Sequence, residues 1–155
     1  MKNKMTTPYI SIVIPVYNSE HGLEELFAGI DAAMANTAYE VIFIDDGSKD
    51  NSWKKLVELK KKHPQKIVSI KFARNFGQHN AILCGFGFCK GDLIVTMDDD
   101  LQHPPGEIAR LLAKYEETHA DVVYGVYNTK RHGVMQNMGS FFIKKTSKYF
   151  EDKMG

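Results

Sequence analysis

Hydrophobic residues in this sequence fall alternately in continuous runs and at helical spacing. An apolar run over residues 10–16 is followed by one helical face made of Leu23, Leu26, Phe27, Ile30 and Met34. The alternation continues, with strands predicted at 41–45, 67–72, 92–97 and 121–126 and helices between them. Because continuous apolar strands joined by helices are typical of sheets covered on both faces, the pattern predicts an α/β fold with one mostly parallel sheet.

The pattern weakens after Tyr127. The segment from Phe141 to Phe150 mixes aromatic residues with lysines. It is predicted as an amphipathic helix that either packs on the core or lies at a membrane surface. No helix cap closes it, so we expect one domain over residues 1–155 that is incomplete at its carboxy end.

Composition and charge restrict the function classes. The chain has 155 residues, of which 43% are hydrophobic and 25% charged, as in an ordinary globular domain. Its net charge of +1 gives no overall field for a polyanion, so no nucleic-acid partner is expected. No signal peptide or membrane-spanning run is visible, which favours a cytoplasmic protein. Cys84 and Cys89 share one predicted helix and are expected to be reduced core residues.

Two clusters of carboxylates follow predicted strands. Asp45 and Asp46 end the second strand, and three acids end the fourth, namely Asp98, Asp99 and Asp100. Because the carboxyl ends of parallel strands share one edge of the sheet, both clusters are expected at one ligand-binding rim. Adjacent carboxylates repel one another unless a cation lies among them, and hard oxygen ligands suit Mg²⁺ or Mn²⁺ shared with a substrate phosphate. The sequence therefore predicts a divalent metal that carries a diphosphate.

Turn and cap chemistry explains only part of these clusters. Asp46-Gly47-Ser48 is typical of a turn, and Asp50 or Ser52 can cap the next helix. One acid would also be enough to cap the helix after the second cluster. This alternative explains neither two adjacent acids before a glycine nor three acids in a row.

Three stretches resemble glycosyltransferase family 2, whose members have the GT-A fold: SIVIPVYNSE, VIFIDDGSKDNS and GDLIVTMDDDLQHPP. FARNFGQHNAILCGF and the ending Asp-Leu-Gln-x-Pro-Pro are similar to the polyprenyl-phosphate branch of that family. This branch includes dolichol-phosphate mannose synthases and bacterial undecaprenyl-phosphate sugar transferases. The resemblance covers nearly the whole chain and implies a Rossmann-like three-layer sandwich with a mostly parallel central sheet.

The resemblance implies donor-binding roles for several residues. Pro15 and Tyr17 after the first strand, and Asp46 after the second, would line the pocket for the nucleotide base and ribose. Arg74, in the loop after the third strand, would contact the diphosphate; the alternative is an ordinary solvated arginine.

The resemblance also implies a metal site. Asp98 and Asp100 would be the two acids of the Asp-x-Asp motif that touch the donor and its metal, with Gln102 as a further oxygen ligand. Asp99 would occupy the variable middle position. The catalytic residue stays unknown, because the acid that the family presents on the acceptor side would lie beyond Gly155.

The implied activity is a metal-dependent, inverting transfer of a sugar from a nucleotide diphosphate, with a UDP-sugar favoured, to a polyprenyl phosphate or a related lipid phosphate. Such an acceptor implies peripheral contact with the inner face of the cell membrane. The sequence indicates neither the sugar nor the oligomeric state.

Two other classes of protein compete with this interpretation. A haloacid dehalogenase type phosphatase also has Asp-x-Asp after a strand, but Gln102 stands where a Thr or Val usually follows. A non-catalytic nucleotide-sugar-binding fragment would share the donor residues without the transfer. A dinucleotide-binding Rossmann domain is disfavoured because PVYNSE has no glycine after the first strand.

Overall fold

The computed structural model describes residues 9–102, 104–125 and 142–145. Its strands are β1 (Ile10–Val16), β2 (Tyr39–Asp45), β3 (Ile67–Lys71), β4 (Leu93–Thr96), β5 (Val122–Tyr124) and β6 (Phe142–Lys145). Its helices are α1 (Leu23–Ala33), α2 (Ser52–Lys62), α3 (Gln78–Phe86) and α4 (Glu107–Thr118). The six strands form one sheet in the order β3-β2-β1-β4-β6-β5.

Four neighbouring strands carry the parallel part of the sheet. β1 pairs in parallel with β2 and β4, and β2 pairs in parallel with β3. All seven residues of β1 are buried, as expected for the central strand of a sheet covered on both faces. The predicted mostly parallel α/β fold is therefore confirmed.

The two faces of the sheet are covered unequally. On one face, the side chains of alternate strand residues pack with the inner residues of α1, α2 and α4. On the other face, Val13, Ile42, Ile44 and Ile94 pack with Ala81 of α3. In the part of the chain that the structure describes, no helix is long and apolar enough to cross a membrane.

The fifth and sixth strands correct the prediction for the carboxy-terminal third. The strand predicted at 121–126 exists as β5, but among the described strands it lies at the edge of the sheet and pairs with β6 alone, in antiparallel orientation. β6 lies between β4 and β5 and is antiparallel to both. Residues 142–145 are thus a strand, and the helix predicted from Phe141 to Phe150 is wrong for this range. The rest of that segment lies outside the described residues.

Pro15 lies within β1, where a missing N–H is tolerated. The N–H of Ile10 donates to Ala38 of the chain leading into β2, so the alternation along the strand turns the nitrogen of Pro15 towards β4. Pairing with β4 ends where Val13 meets Thr96, two residues earlier. The proline therefore interrupts no ladder hydrogen bond.

Both cysteines are unpaired, as predicted. Cys84 in α3 and Cys89 just after it are half-buried rather than deep in the core, and Cys89 packs against the smaller core cluster. The Cys89 thiol donates to the Gly85 carbonyl oxygen at 3.4 Å. Burial raises the pKa of this thiol to about 12, so it stays protonated near neutral pH.

Candidate active site

The candidate site is the rim formed by the carboxyl ends of β1, β2 and β4 and by the start of α3. Parallel strands end at one edge of the sheet, so the loops after them meet there. Four loops make up this rim, over residues 17–22, 46–51, 72–77 and 97–102. Every residue that the sequence predicted to bind donor or metal lies in or beside these loops.

The three consecutive acids after β4 have different surroundings. Asp98 is half-buried and accepts a hydrogen bond from Gln78 Nε2 at 2.6 Å, which ties it to the first residue of α3. Asp100 is exposed, and its Oδ1 accepts the backbone N–H of Gln102 at 3.0 Å. Leu101, between Asp100 and Gln102, has φ of 58°, in the left-handed region. Asp98 and Asp100 are therefore held in different ways at the same rim.

Asp99 joins the β4 loop to the β1 loop. Its Oδ2 atom accepts the backbone N–H of Tyr17 at 3.2 Å and the hydroxyl of Ser19 at 2.5 Å. Burial raises the pKa of Asp99, and the hydrogen bonds from Ser19 and Tyr17 oppose this shift. The middle acid of the motif therefore connects two loops by hydrogen bonds, although the motif allows a variable residue at this position.

Asp46, at the end of β2, organises the loop that precedes α3. Its side chain is only 3% exposed, and its two oxygens accept the backbone N–H groups of Phe76 at 2.7 Å and of Gly77 at 2.9 Å. The neighbouring Asp45 accepts the Ser48 N–H at 3.1 Å through Oδ1. Its buried Oδ2 has no hydrogen-bond partner among the described residues. The end of β2 therefore offers buried acceptors at the rim.

Reciprocal hydrogen bonds join the loops after β1 and β2. The Asn18 N–H donates to Ser48 Oγ at 3.0 Å, and Asn18 Oδ1 accepts the Lys49 N–H at 2.9 Å. The Ser19 N–H donates to Ser52 Oγ at 2.8 Å. The N-cap residue of α2 is Asn51, which makes no side-chain cap hydrogen bond, so the cap predicted at Asp50 or Ser52 is wrong; Asp50 Oδ1 instead accepts the Ser52 N–H at 2.9 Å from one residue before the cap.

Arg74 lies on the exposed loop before α3. Its guanidinium carbon is 4.9 Å from the centre of the Phe76 ring, a cation–π distance. Gly47 has φ of 72°, and a Cβ there would lie 2.5 Å from the Arg74 carbonyl carbon. The turn after β2 therefore packs directly on the backbone of the Arg74 loop, and only glycine fits this contact.

The predicted site residues form two groups at the rim. Tyr17, which is 44% exposed, adjoins Asp99 and the motif acids, whereas Asp46 and Arg74 lie on the opposite side of the rim at the loop before α3. Gln78 connects the groups, because it follows this loop and bonds to Asp98. Pro15 is buried in β1, one residue before the end of the strand.

The donor set fits part of the coordination sphere of a divalent cation. Asp98, Asp100 and Gln102 offer the hard oxygen atoms that Mg²⁺ and Mn²⁺ bind. In the described ranges, no three His, Cys, Asp or Glu side chains are close enough to hold a metal by themselves. The remaining ligands of a cation here would come from substrate oxygens and water, as is usual for Mg²⁺ beside phosphates.

Sequence reasoning missed three residues that connect the site. Ser19, Asp99 and Gln78 were given no role, although each makes a side-chain hydrogen bond across the rim. Their partners are 80 and 20 residues away along the chain, so no local spacing indicates the contacts. The sequence offered one signal only, a polar amide directly after Gly77 at the start of a predicted helix.

A mostly parallel sheet with carboxylates at its carboxyl edge, flanked by helices, defines this chain as an α/β domain of the GT-A class. Residues 11–153 match the family described as "Glycosyl transferase family 2". The chain belongs to glycosyl transferase family 2, so the resemblance seen in its motifs is confirmed. The same match decides against the phosphatase alternative.

Similar proteins agree with this assignment. The chain is 43% identical over 138 residues to the undecaprenyl-phosphate 4-deoxy-4-formamido-L-arabinose transferase of Klebsiella pneumoniae, with 88% of this chain and 42% of that protein covered. The mannosyltransferase PcManGT of Pyrobaculum calidifontis, solved with GDP-Man and Mn²⁺, superposes with a TM-score of 0.73 at 16% identity, covering 91% of this chain and 45% of that one.

A third similar protein is S. aureus TarS 1-349, solved in complex with UDP. It superposes with a TM-score of 0.62 at 23% identity, covering 83% of this chain and 38% of that one. The likeness to PcManGT and TarS shows the fold. The chain spans less than half the length of each of these three proteins.

Proposed function

We propose that the rim binds a nucleotide-diphospho-sugar, with a UDP-sugar favoured, and that the sugar is transferred to a polyprenyl phosphate. The observation that carries this proposal is the position of the Asp-x-Asp acids, which end β4 beside Tyr17 and are connected through Gln78 to the Asp46 loop. The name of the Klebsiella relative, an undecaprenyl-phosphate transferase, supports the acceptor class. The titles of the TarS and PcManGT complexes support a nucleotide donor.

The nucleoside is proposed to bind between Tyr17 and Asp46 above Pro15. Tyr17 presents an exposed aromatic ring beside this space. Asp46 already accepts two backbone N–H groups, but each carboxylate oxygen has two lone pairs. It can therefore accept a donor group of the base or ribose without releasing the loop that it holds.

The diphosphate is proposed to lie between Arg74 and the acids after β4. Arg74 is exposed on the adjoining loop and brings a positive charge to the rim opposite the acids after β4. Asp98 and Asp100 would hold the cation, with Gln102 as a further oxygen ligand. When bound, Mg²⁺ or Mn²⁺ supplies Lewis-acid stabilisation of the negative charge on the departing diphosphate.

The chemistry of the proposed acceptor lowers the need for a general base in the protein. A lipid phosphate is already an oxyanion near neutral pH, so a strong general base is less necessary than for an alcohol. The residues of the rim would then act by holding the donor in position, and attack opposite the leaving group would invert the anomeric centre. This acceptor also favours a location at the inner face of the cell membrane.

Calorimetric titration of UDP and uridine tests the proposal. We expect Mn²⁺ to strengthen UDP binding about ten-fold or more relative to a chelator, because a charge-neutralised diphosphate contact is worth at least about 1.4 kcal/mol. Asp100→Asn should remove most of this gain and leave uridine binding unchanged. Asp46→Asn should weaken uridine and UDP alike.

The matched control is Glu116→Gln, the same carboxylate-to-amide change at an exposed position of α4. UDP affinity that is equal with Mn²⁺ and with chelator would contradict the metal role. Uridine affinity unaffected by Asp46→Asn would contradict the base-pocket assignment. Transfer is measured separately, with radiolabelled UDP-sugars and undecaprenyl phosphate.

A further inference from the structure

Helix α3 differs from the other described helices in its lack of charge. None of its nine residues, QHNAILCGF, is Asp, Glu, Lys or Arg. The helices α1, α2 and α4, on the opposite face of the sheet, carry several charged residues each. A surface helix normally places charges on its outer side, so α3 has the composition of a helix with a second apolar contact.

The outer side of α3 presents large apolar side chains to solvent. Ala81 and Gly85 are buried against the sheet, whereas Leu83 is 63% exposed. Phe76 before the helix and Phe88 after it are each 47% exposed. Several partly buried apolar residues adjoin them on this face, namely Val68, Ile70, Phe72 and Phe86. Three large apolar side chains exposed along one helix and its two ends are more than the scattered single residues that need no explanation.

Within residues 72–90 the charged side chains have one sign, although Asp98 bonds to Gln78 and the exposed Asp92 lies two residues beyond Lys90. Residues 72–90 contain no Asp or Glu, but they include Arg74 and Lys90, both exposed. Arg74 lies over the Phe76 ring, and Lys90 follows Phe88 by two residues, so the charges flank the apolar residues at both ends of α3. We call these five residues the α3 surface, namely Arg74, Phe76, Leu83, Phe88 and Lys90.

We propose that the α3 surface docks on a lipid bilayer that contains anionic lipids. Apolar side chains flanked by cationic ones, without acids between them, match the boundary between acyl chains and anionic headgroups. The inference rests on the proposed function, in which the acceptor is a lipid phosphate. Gln78, in the first turn of α3, bonds to Asp98, so the α3 surface begins beside the proposed donor site. Docking through α3 brings the rim to the level of the headgroups.

Co-sedimentation with vesicles tests the docking. We expect the chain to sediment with vesicles of equal parts phosphatidylglycerol and phosphatidylcholine, and less with phosphatidylcholine alone. Leu83→Gln should lower the partition coefficient about ten-fold, since a buried leucine side chain contributes at least that much. Lys90→Gln should lower it about five-fold, the effect of one cationic side chain near an anionic surface.

Lys54→Gln is the matched control for charge. Lys54 is exposed on α2, on the opposite face of the sheet, and its loss should leave the partition coefficient unchanged. Equal sedimentation of the Leu83→Gln and parent chains would overturn the proposal. The proposal would also be overturned if Leu83→Gln changed only a dimer–monomer equilibrium measured without vesicles. The α3 surface would then bind a second copy of the chain.

A tryptophan reporter gives a second readout that does not depend on binding strength. Trp53 on α2 is the only tryptophan, so Leu83→Trp adds one probe on the α3 surface. Its emission should shift to the blue and be quenched by brominated lipids, whereas Ala28→Trp, at an exposed site of α1, should show neither effect. Two equal signals would overturn the proposal.

UDP titration without lipid distinguishes this proposal from the proposed function. Intact UDP binding with no vesicle binding contradicts the α3 surface alone. Vesicle binding by a chain that binds no nucleotide contradicts the donor site and leaves the surface standing.

Discussion

The three consecutive aspartates show how one short run separates like charges. Beyond β4 the side chains leave the sheet alternately, so Asp98 faces α3 while Asp99 faces the loop after β1. Each acid accepts hydrogen bonds from a different part of the chain, which reduces the mutual repulsion that the sequence alone suggests. The run therefore has protein partners in addition to the cation proposed for donor binding.

The contact between Asp99 and Ser19 should contribute measurably to stability. Asp99→Ala leaves the Tyr17 N–H and the Ser19 hydroxyl without their acceptor, and we expect it to lower the free energy of unfolding by about 1–3 kcal/mol. Ser19→Ala should cost less, about 1 kcal/mol, because Asp99 keeps the Tyr17 N–H and only the single hydroxyl donor, shared between Asp99 and the Tyr17 carbonyl oxygen, is lost. Urea denaturation without metal measures both.

The double variant isolates the pair. If the hydrogen bond is formed, the two losses should fall short of additivity by about 0.5 kcal/mol or more. Asp99→Asn keeps an oxygen acceptor and should recover much of the stability. Strictly additive losses would mean that the two side chains act independently.

At the scale of elements, the sequence predicted the parallel part of the sheet and missed one strand. The runs that became β1, β2 and β4 are continuous and apolar, so their burial on both faces follows from composition. β6 consists of the four residues FIKK, which show neither a continuous apolar run nor alternation. β6 is a strand because it pairs with β4 and β5. These partners are distant in the sequence, so the local residue pattern does not indicate the pairing.

The start of β2 shows a similar limit. Glu40 is 3% exposed inside the strand, because its Oε1 accepts the Ser11 hydroxyl at 2.8 Å and the Lys90 N–H at 2.7 Å. Because glutamate side chains are usually exposed to solvent, the sequence pattern predicts a strand that begins at residue 41. The carboxylate clusters of the rim were predicted correctly in place, since they follow strands directly, but their protein partners were not.

Gly91 should control how closely β4 starts against β1. Its N–H donates to Ser11 Oγ at 2.8 Å, and a Cβ would lie 2.6 Å from the Ser11 nitrogen. The backbone of Ser11 cannot move away from this Cβ unless β1 and β4 separate. Gly91→Ala should therefore lower the free energy of unfolding by about 2 kcal/mol or more. Gly106→Ala is the control, because no atom lies within 4 Å of its added Cβ. A similar small change for both variants in urea would refute this packing argument.

At the scale of the whole molecule, hydrogen bonds join the four rim loops into a closed ring. Asp99 bonds to Ser19, the Asn18 loop bonds to Ser48, Asp46 bonds to Phe76 and Gly77, and Gln78 returns to Asp98. A ligand that orders one loop should therefore reduce the opening of its neighbours as well. The ring connects the proposed nucleoside and diphosphate positions through the protein.

Hydrogen exchange measures this coupling. We expect UDP with Mn²⁺ to slow amide exchange in all four loops, 17–22, 46–51, 72–77 and 97–102, whereas uridine alone should act mainly on the first three. In Ser19→Ala, one link between the β1 and β4 loops is missing, so protection by UDP and Mn²⁺ should persist in 97–102 and weaken in 17–22. Protection confined to 97–102 in the parent chain would show that the loops open independently. The Ser19 hydroxyl, a small polar group 80 residues from its partner, would then hold the rim together without transmitting the effect of the donor.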